Sequence, residues 1–90
     1  MERRRYRVRG RVQGVGFRYW LRQHAQRLAL RGWVRNCADG SVELEALGDA
    51  DSHARLRELL REGPRHAHVD AVDDLSPTER ELGVGFDVVH

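Results

Sequence analysis

The sequence predicts an α+β sandwich: a βαββαβ chain with a short terminal strand, its two helices on one face of a mixed antiparallel and parallel sheet. Three observations predict it. The apolar period switches from two to 3.6 and back, twice along the chain. Glycine, proline and aspartate mark the switches. Ninety residues hold one modest core, so one domain over residues 1–90 is expected.

The elements follow in order. Tyr6, Val8 and Val12 alternate with Arg5, Arg7, Arg9 and Arg11, as in a strand with one buried face. Gly10 falls on the apolar side and leaves room for a close neighbour. Gln13-Gly14-Val15-Gly16 interrupts the strand. Phe17, Trp20, Leu21, Ala25, Leu28 and Ala29 then form a helical stripe ending near Leu30-Arg31-Gly32. A second strand carries Val34 and Asn36 on one face and Trp33 and Arg35 on the other. Ala38-Asp39-Gly40 is a hairpin turn, and Val42, Leu44 and Ala46 alternate with Glu43 and Glu45 in a third strand. Asp49 or Asp51 caps a second helix with Ala54, Leu56, Leu59 and Leu60 inward, stopped by Gly63-Pro64. Val69, Ala71 and Val72 mark a fourth strand. Ser76-Pro77-Thr78 opens a polar loop, and Val84–Val89 closes as a short strand.

Connection rules give this order the ferredoxin-like, split βαβ arrangement. Strands one and two run parallel with strand three antiparallel between them, so the loop 13–17, Asn36 and Ser41 share one sheet edge. Asn36 shares its face with Val34 and is aimed at the mouth of the first helix.

Composition narrows the chemistry. All sixteen basic residues are arginine, which excludes a P-loop lysine, a Schiff base or a lysine base. Asn36 is the one asparagine. Cys37 is the one cysteine, which excludes an internal disulfide and a cysteine zinc site, and a reducing cytoplasmic compartment is expected. No apolar run approaches a membrane span, and the basic start lacks the apolar stretch of a signal peptide. Residues 1–36 hold eleven arginines against one glutamate, net +10, and residues 37–90 carry net −8. Such a split suggests an anion site or two elements that pair in space.

The Gln13–Phe17 loop suits an anion. Gly14 and Gly16 let backbone N–H groups turn inward together, and the following helix adds its free N–H groups and positive dipole end. Arg18 sits in that first turn, where a cation is disfavoured unless a polyanion lies beside it. A plain glycine-containing strand–helix turn with a solvated arginine is the alternative.

The run Gly10-Arg11-Val12-Gln13-Gly14-Val15-Gly16-Phe17-Arg18 resembles the signature of the acylphosphatase family. Gly32-Trp33-Val34-Arg35-Asn36 followed by Asp39-Gly40-Ser41-Val42-Glu43 resembles its second signature at the expected separation, and Gly63-Pro64, Ala67, Val69 and the ending Phe86-Asp87-Val88 resemble its downstream pattern. The resemblance covers nearly the whole chain. It implies hydrolysis of the carboxyl–phosphate anhydride of small acyl phosphates to a carboxylate and inorganic phosphate, with no metal or cofactor. Carried over by position, Arg18 binds the phosphate and Asn36 the attacking water. Backbone N–H groups of Gly14, Val15, Gly16, Phe17 and Arg18 are expected to hold the phosphate, with Gln13 and Ser41 supporting them, Ser41 by orienting the Asn36 amide. Phosphate is then product and competitive inhibitor. A monomer is expected.

Two rival readings remain. The arginines of strand one could bind RNA or an acidic partner, against which stands cross-strand pairing with Glu43, Glu45 and Asp70. RNA modules of this architecture stack bases on aromatics of the open face, whereas Tyr6 has the parity of the buried one. Acylphosphatase-like domains also occur within larger maturation enzymes that use carbamoyl phosphate. His66 and His68, beside Asp70, lack a clear third ligand of defined geometry and read as surface groups rather than a metal site. Cys37 points away from the site by parity.

Overall fold

The computed structural model describes residues 1–90. The elements are β1 (Glu2–Arg11), α1 (Phe17–Arg27), β2 (Arg31–Asn36), β3 (Val42–Gly48), α2 (Ala50–Glu62), β4 (His68–Leu75) and β5 (Phe86–Val89). They form one sheet in the order β4-β1-β3-β2-β5. β3 lies antiparallel between β1 and β2, and β5 runs parallel to β2. The predicted split βαβ topology is therefore present. No helix is long and apolar enough to cross a membrane.

The core lies between the helices and the sheet. Tyr6 and Val8 of β1, Val34 of β2, Val42, Leu44 and Ala46 of β3, Leu21 and Ala25 of α1, and Leu56 and Leu60 of α2 are buried there, with Val12 just beyond β1. Gly10 sits where β1 and β4 close up. A Cβ there would collide with the His68 carbonyl and approach the Asp70 nitrogen to 2.8 Å, so the predicted close neighbour is backbone.

Helix α1 stops at Arg27, before the predicted end at Leu30. The Leu30 N–H bonds the Ala25 carbonyl at 3.0 Å and the Ala29 N–H bonds Gln26 at 3.1 Å. This pair of bonds is the Schellman stop, and Ala29 takes its left-handed position at φ 56°. Ala29 is thereby exposed instead of belonging to the apolar stripe, while Leu30 turns into the core. The terminal strand is likewise shorter than predicted: it begins at Phe86, and Val84 is exposed.

In α2 the cap is Asp49, whose carboxylate accepts from the Ser52 N–H at 2.7 Å. Its inner face starts at His53, with Ala54 exposed, a shift of one residue from the predicted stripe. His53 Nε2 lies 2.8 Å from the Glu2 carbonyl, and Nδ1 lies 3.0 Å from the Tyr6 hydroxyl. A carbonyl only accepts, so Nε2 carries the proton and the Tyr6 hydroxyl donates to Nδ1. A polar residue on the inner face is thus paired on both ring nitrogens.

The face away from the helices carries a grid of arginines and carboxylates. Arg3 pairs with Glu45 at 2.8 Å, Arg5 and Arg35 share Glu43 at 2.8 and 2.6 Å, and Arg9 pairs with Asp73 at 2.7 Å. Cross-strand pairing therefore takes up arginines of β1, but the acid from β4 is Asp73. The expected Asp70 falls at the register shift opposite Arg9 and Gly10 and bonds His68 at 3.1 Å instead. Because β4 and β5 are opposite edges, residues 76–85 must cross this face. Arg5 donates to the Ser76 carbonyl (2.7 Å), the Thr78 N–H and hydroxyl donate to Glu45 (2.6 and 2.9 Å), Arg80 covers the Trp33 ring at 5.0 Å, and Arg31 donates to the Gly83 carbonyl (2.8 Å). This strap buries Glu45 completely and Trp33 to within a few per cent.

Burial alone would raise the carboxyls of Glu43 and Glu45. The hydrogen bonds from Arg35 and Arg5 to Glu43, and from the Thr78 N–H and Arg3 to Glu45, outweigh it and hold both below the usual range. A carboxyl depressed by folding stabilises above its unfolded pKa of about 4.3, and that stabilisation disappears as pH falls through the folded value. Urea midpoints should therefore be flat near neutrality and fall below about pH 4.3. Glu45→Gln should lose about 2 kcal/mol at pH 7, the size of a lost hydrogen bond to a charged group, and show a shallower acid decline. Parallel acid declines in the two proteins would remove Glu45 from this account.

Candidate active site

The site is built where β1 ends and α1 begins. Gly14 and Gly16 have φ of 74° and 76°, a region closed to most side chains. A Cβ at either would meet nothing within 4 Å, so backbone conformation, not space, requires glycine. Gly16 is the N-cap of α1, no side chain bonds the first-turn N–H groups, and no acid lies in that turn. The free N–H groups and the positive helix end thus stay available to an anion.

A cavity of about 150 Å³ opens here, and Gly14, Gly16, Phe17, Arg18 and Asn36 line it, with Val12 and Tyr19 at its sides. No carboxylate lines it. Arg18 forms no ion pair; its Nη1 lies 3.3 Å from the Val89 carbonyl and 3.1 Å from His90 Nδ1, so its near side is held by β5. Asn36 ends β2 opposite Val42, is exposed, and reaches the same cavity. The residues singled out from sequence as phosphate and water ligands are therefore neighbours in space.

Gln13 ties the two halves of the site together. Its Nε2 donates to the Cys37 carbonyl at 2.8 Å and to the Ser41 carbonyl at 2.9 Å. Those two carbonyls frame the turn that follows Asn36, which the Cys37 N–H closes onto Ser41 at 2.8 Å. One side chain thus fixes the glycine loop relative to Asn36.

Ser41 does otherwise than expected. Its hydroxyl donates to Asp39 at 2.6 Å, and its N–H donates to the same oxygen at 3.0 Å, so it shapes the turn and forms no bond to the Asn36 amide. The same two bonds hold the Asp39 carboxyl below its usual range. Cys37 Sγ faces Glu43 on the opposite side of the sheet, at 3.8 Å from Oε1. His68 Nε2 and Asp70 Oδ1 lie 3.1 Å apart on the surface, with no third histidine, cysteine or carboxylate grouped with them.

Sequence reasoning missed the support of Arg18 by Val89 and His90 and the presence of Tyr19 at the cavity. The first depends on β5 lying beside β2, which no local pattern records. Tyr19 follows Arg18 directly in the chain, so its nearness was readable, but not its outward direction, with half its surface exposed.

Residues 4–88 match the family model "Acylphosphatase". An acylphosphatase of Synechococcus sp. (strain RCC307) is 54% identical over 72 residues, 80% of this chain, and the matched region spans 62% of that relative. A crystal structure of acylphosphatase from Bacillus subtilis superposes over 100% of both chains with a TM-score of 0.86 at 35% identity. A region making up 12% of T. kodakarensis HypF superposes over 100% of this chain with a TM-score of 0.83 at 27% identity. With a family match across nearly its whole length, laid over a glycine loop, an arginine and an asparagine that share one cavity, the chain belongs to the acylphosphatase family, enzymes that hydrolyse acyl phosphates.

Proposed function

We propose that residues 1–90 act as a single acylphosphatase domain in which water, oriented by Asn36, attacks a phosphate held by the loop 14–18 and Arg18. The convergence of Gly14, Gly16, the start of α1, Arg18 and Asn36 on one cavity carries the proposal. The loop N–H groups and the Arg18 fork bind the three phosphate oxygens; a planar guanidinium binds two at once, which a lysine does not. The Asn36 amide oxygen accepts a hydrogen bond from water and aims it at phosphorus.

Water oxygen forms a bond to phosphorus as the bond from phosphorus to the acyl oxygen breaks, and the carboxylate leaves with the electron pair. Its pKa near about 4 lets it depart unprotonated, so no general acid is needed. The proton of the water passes to a phosphate oxygen of the substrate, since no carboxylate lines the cavity. Positioning and charge stabilisation supply the catalysis, as in phosphoryl transfer generally. No metal or cofactor takes part, the partner is the small acyl phosphate, the protein works as a cytoplasmic monomer, and inorganic phosphate competes as product.

The test is acetyl phosphate hydrolysis by the pure protein after dialysis against a strong chelator. The rate should be unchanged, inorganic phosphate should inhibit competitively, and an alkyl phosphate monoester, whose alkoxide needs an acid to leave, should turn over poorly. A chelator-induced loss restored by one divalent ion, or rapid monoester cleavage, would overturn the mechanism. Acetyl, carbamoyl and a bulky aryl-acyl phosphate assayed side by side identify the preferred acyl group. A nucleic-acid role draws no support from the sheet, where Arg3, Arg5, Arg9 and Arg35 are engaged by carboxylates.

A further inference from the structure

The sheet face opposite the helices holds a second cavity, of about 450 Å³, beneath the strap. Arg5, Trp33, Arg35, Glu43 and Arg80 line it. Its charge is not balanced. Arg5 and Arg35 both spend their ion pairs on the single carboxylate of Glu43, one oxygen each. Arg80 has no carboxylate partner; its guanidinium lies over the Trp33 ring, 5.0 Å from the centroid, and the side chain is exposed. Three guanidiniums therefore face the one carboxylate side chain of a lining that also takes in Thr78, Val89 and His90. Asp87, the register partner of Trp33, lies outside the lining beside Gly83.

A second observation points the same way. Trp33 is 5% exposed, and its indole Nε1 is buried with no hydrogen-bond partner. An orphaned buried donor is costly, and such groups are rare unless something else supplies the acceptor. A lining of guanidinium donors plus an unanswered indole N–H asks for acceptor oxygens with negative charge. With little apolar surface beyond Trp33 and Val89, it does not ask for a greasy ligand.

We propose that this strapped face is a second binding site, adjoining the catalytic cavity through Val89 and His90, for a phosphate dianion, either free or as the phosphate group of a small metabolite. The guanidiniums outnumber the one carboxylate side chain, which suits an anion, and Trp33 Nε1 gains its acceptor. Arg80 contributes as a mobile cover: drawn from the flexible reach of a surface side chain, its fork can turn from the ring face to the bound oxygens.

The test follows the two indole N–H signals, of Trp20 and Trp33, by NMR during titration with inorganic phosphate at constant ionic strength, alongside the amides of residues 14–18. The Trp33 indole signal should move and saturate. Arg80→Gln should weaken that site by about 10- to 100-fold, the equivalent of one lost hydrogen bond to a charged group. The same variant should keep normal acetyl phosphate hydrolysis and normal phosphate inhibition. A sugar phosphate in place of inorganic phosphate distinguishes a metabolite from the free ion. If phosphate moves residues 14–18 but leaves the Trp33 indole in place, or if chloride at equal ionic strength gives the same shift, the second site does not exist. If Trp33 responds while residues 14–18 do not, the second site stands and the catalytic assignment falls.

Discussion

Arg18→Ala should lower kcat/KM for acetyl phosphate by about 10³- to 10⁵-fold, the range seen when a phosphoryl-transfer site loses its arginine. The guanidinium touches phosphate oxygens in both ground and transition states, so phosphate should bind more weakly and turnover should also fall. Arg18→Lys should recover little, because a point charge cannot replace the planar fork. The Arg18 guanidinium also donates to the Val89 carbonyl, so the alanine variant frees one tie between α1 and β5. Circular dichroism and a urea midpoint therefore accompany the kinetics. A folded Arg18→Ala enzyme within tenfold of wild type would refute the assignment.

Asn36→Ala should lower kcat by about 10²- to 10³-fold, as for the loss of one preorganised polar group. The side chain lies at the end of β2, exposed at the cavity, and contributes nothing to the core, so stability should change little. Phosphate affinity should be nearly preserved, because the amide addresses water rather than phosphate. The contrast between the two variants is the measurement: turnover falls in both, phosphate binding in only one. Equal losses of phosphate affinity would make Asn36 a phosphate ligand and leave the water without an orienting group.

What the sequence disclosed follows how local each signal is. Strand parity placed Asn36 and Val34 toward the helices and Trp33, Arg35, Glu43 and Glu45 away from them, because alternation is a property of one strand alone. Connection rules then brought Gln13, Asn36 and Ser41 to one edge. The stop of α1 leaves no mark in the sequence, because Ala29 occupies a left-handed position where glycine is the usual marker. His53 carries no signal in the sequence, because a polar residue on an inner face is recognisable only once Tyr6 and the Glu2 carbonyl stand opposite it. The sequence offers the Ser41 hydroxyl two partners, Asn36 on the strand and Asp39 within the turn, and only the fold of the turn decides for Asp39. The strap over Trp33 and Glu45 follows from the strand order, with β4 and β5 at opposite edges, and no composition signal marks residues 76–85 as anything but a polar loop.

The grid on the sheet reaches into the unfolded chain as well. Each of its pairs, Arg3–Glu45, Arg5–Glu43, Arg35–Glu43 and Arg9–Asp73, joins the basic first 36 residues to the acidic remainder. Before folding, the chain is a two-block polyampholyte, one block at net +10 and the other at net −8. Opposite blocks attract over distances of about a Debye length, roughly 8 Å at physiological salt and longer when dilute. The denatured ensemble is drawn together along the direction in which β1 must meet β3 and β4, and it exposes less new surface on unfolding than a chain with mixed charges. Salt loosens that ensemble, so ionic strength acts on this protein through its unfolded state as much as through the pairs visible in the folded one.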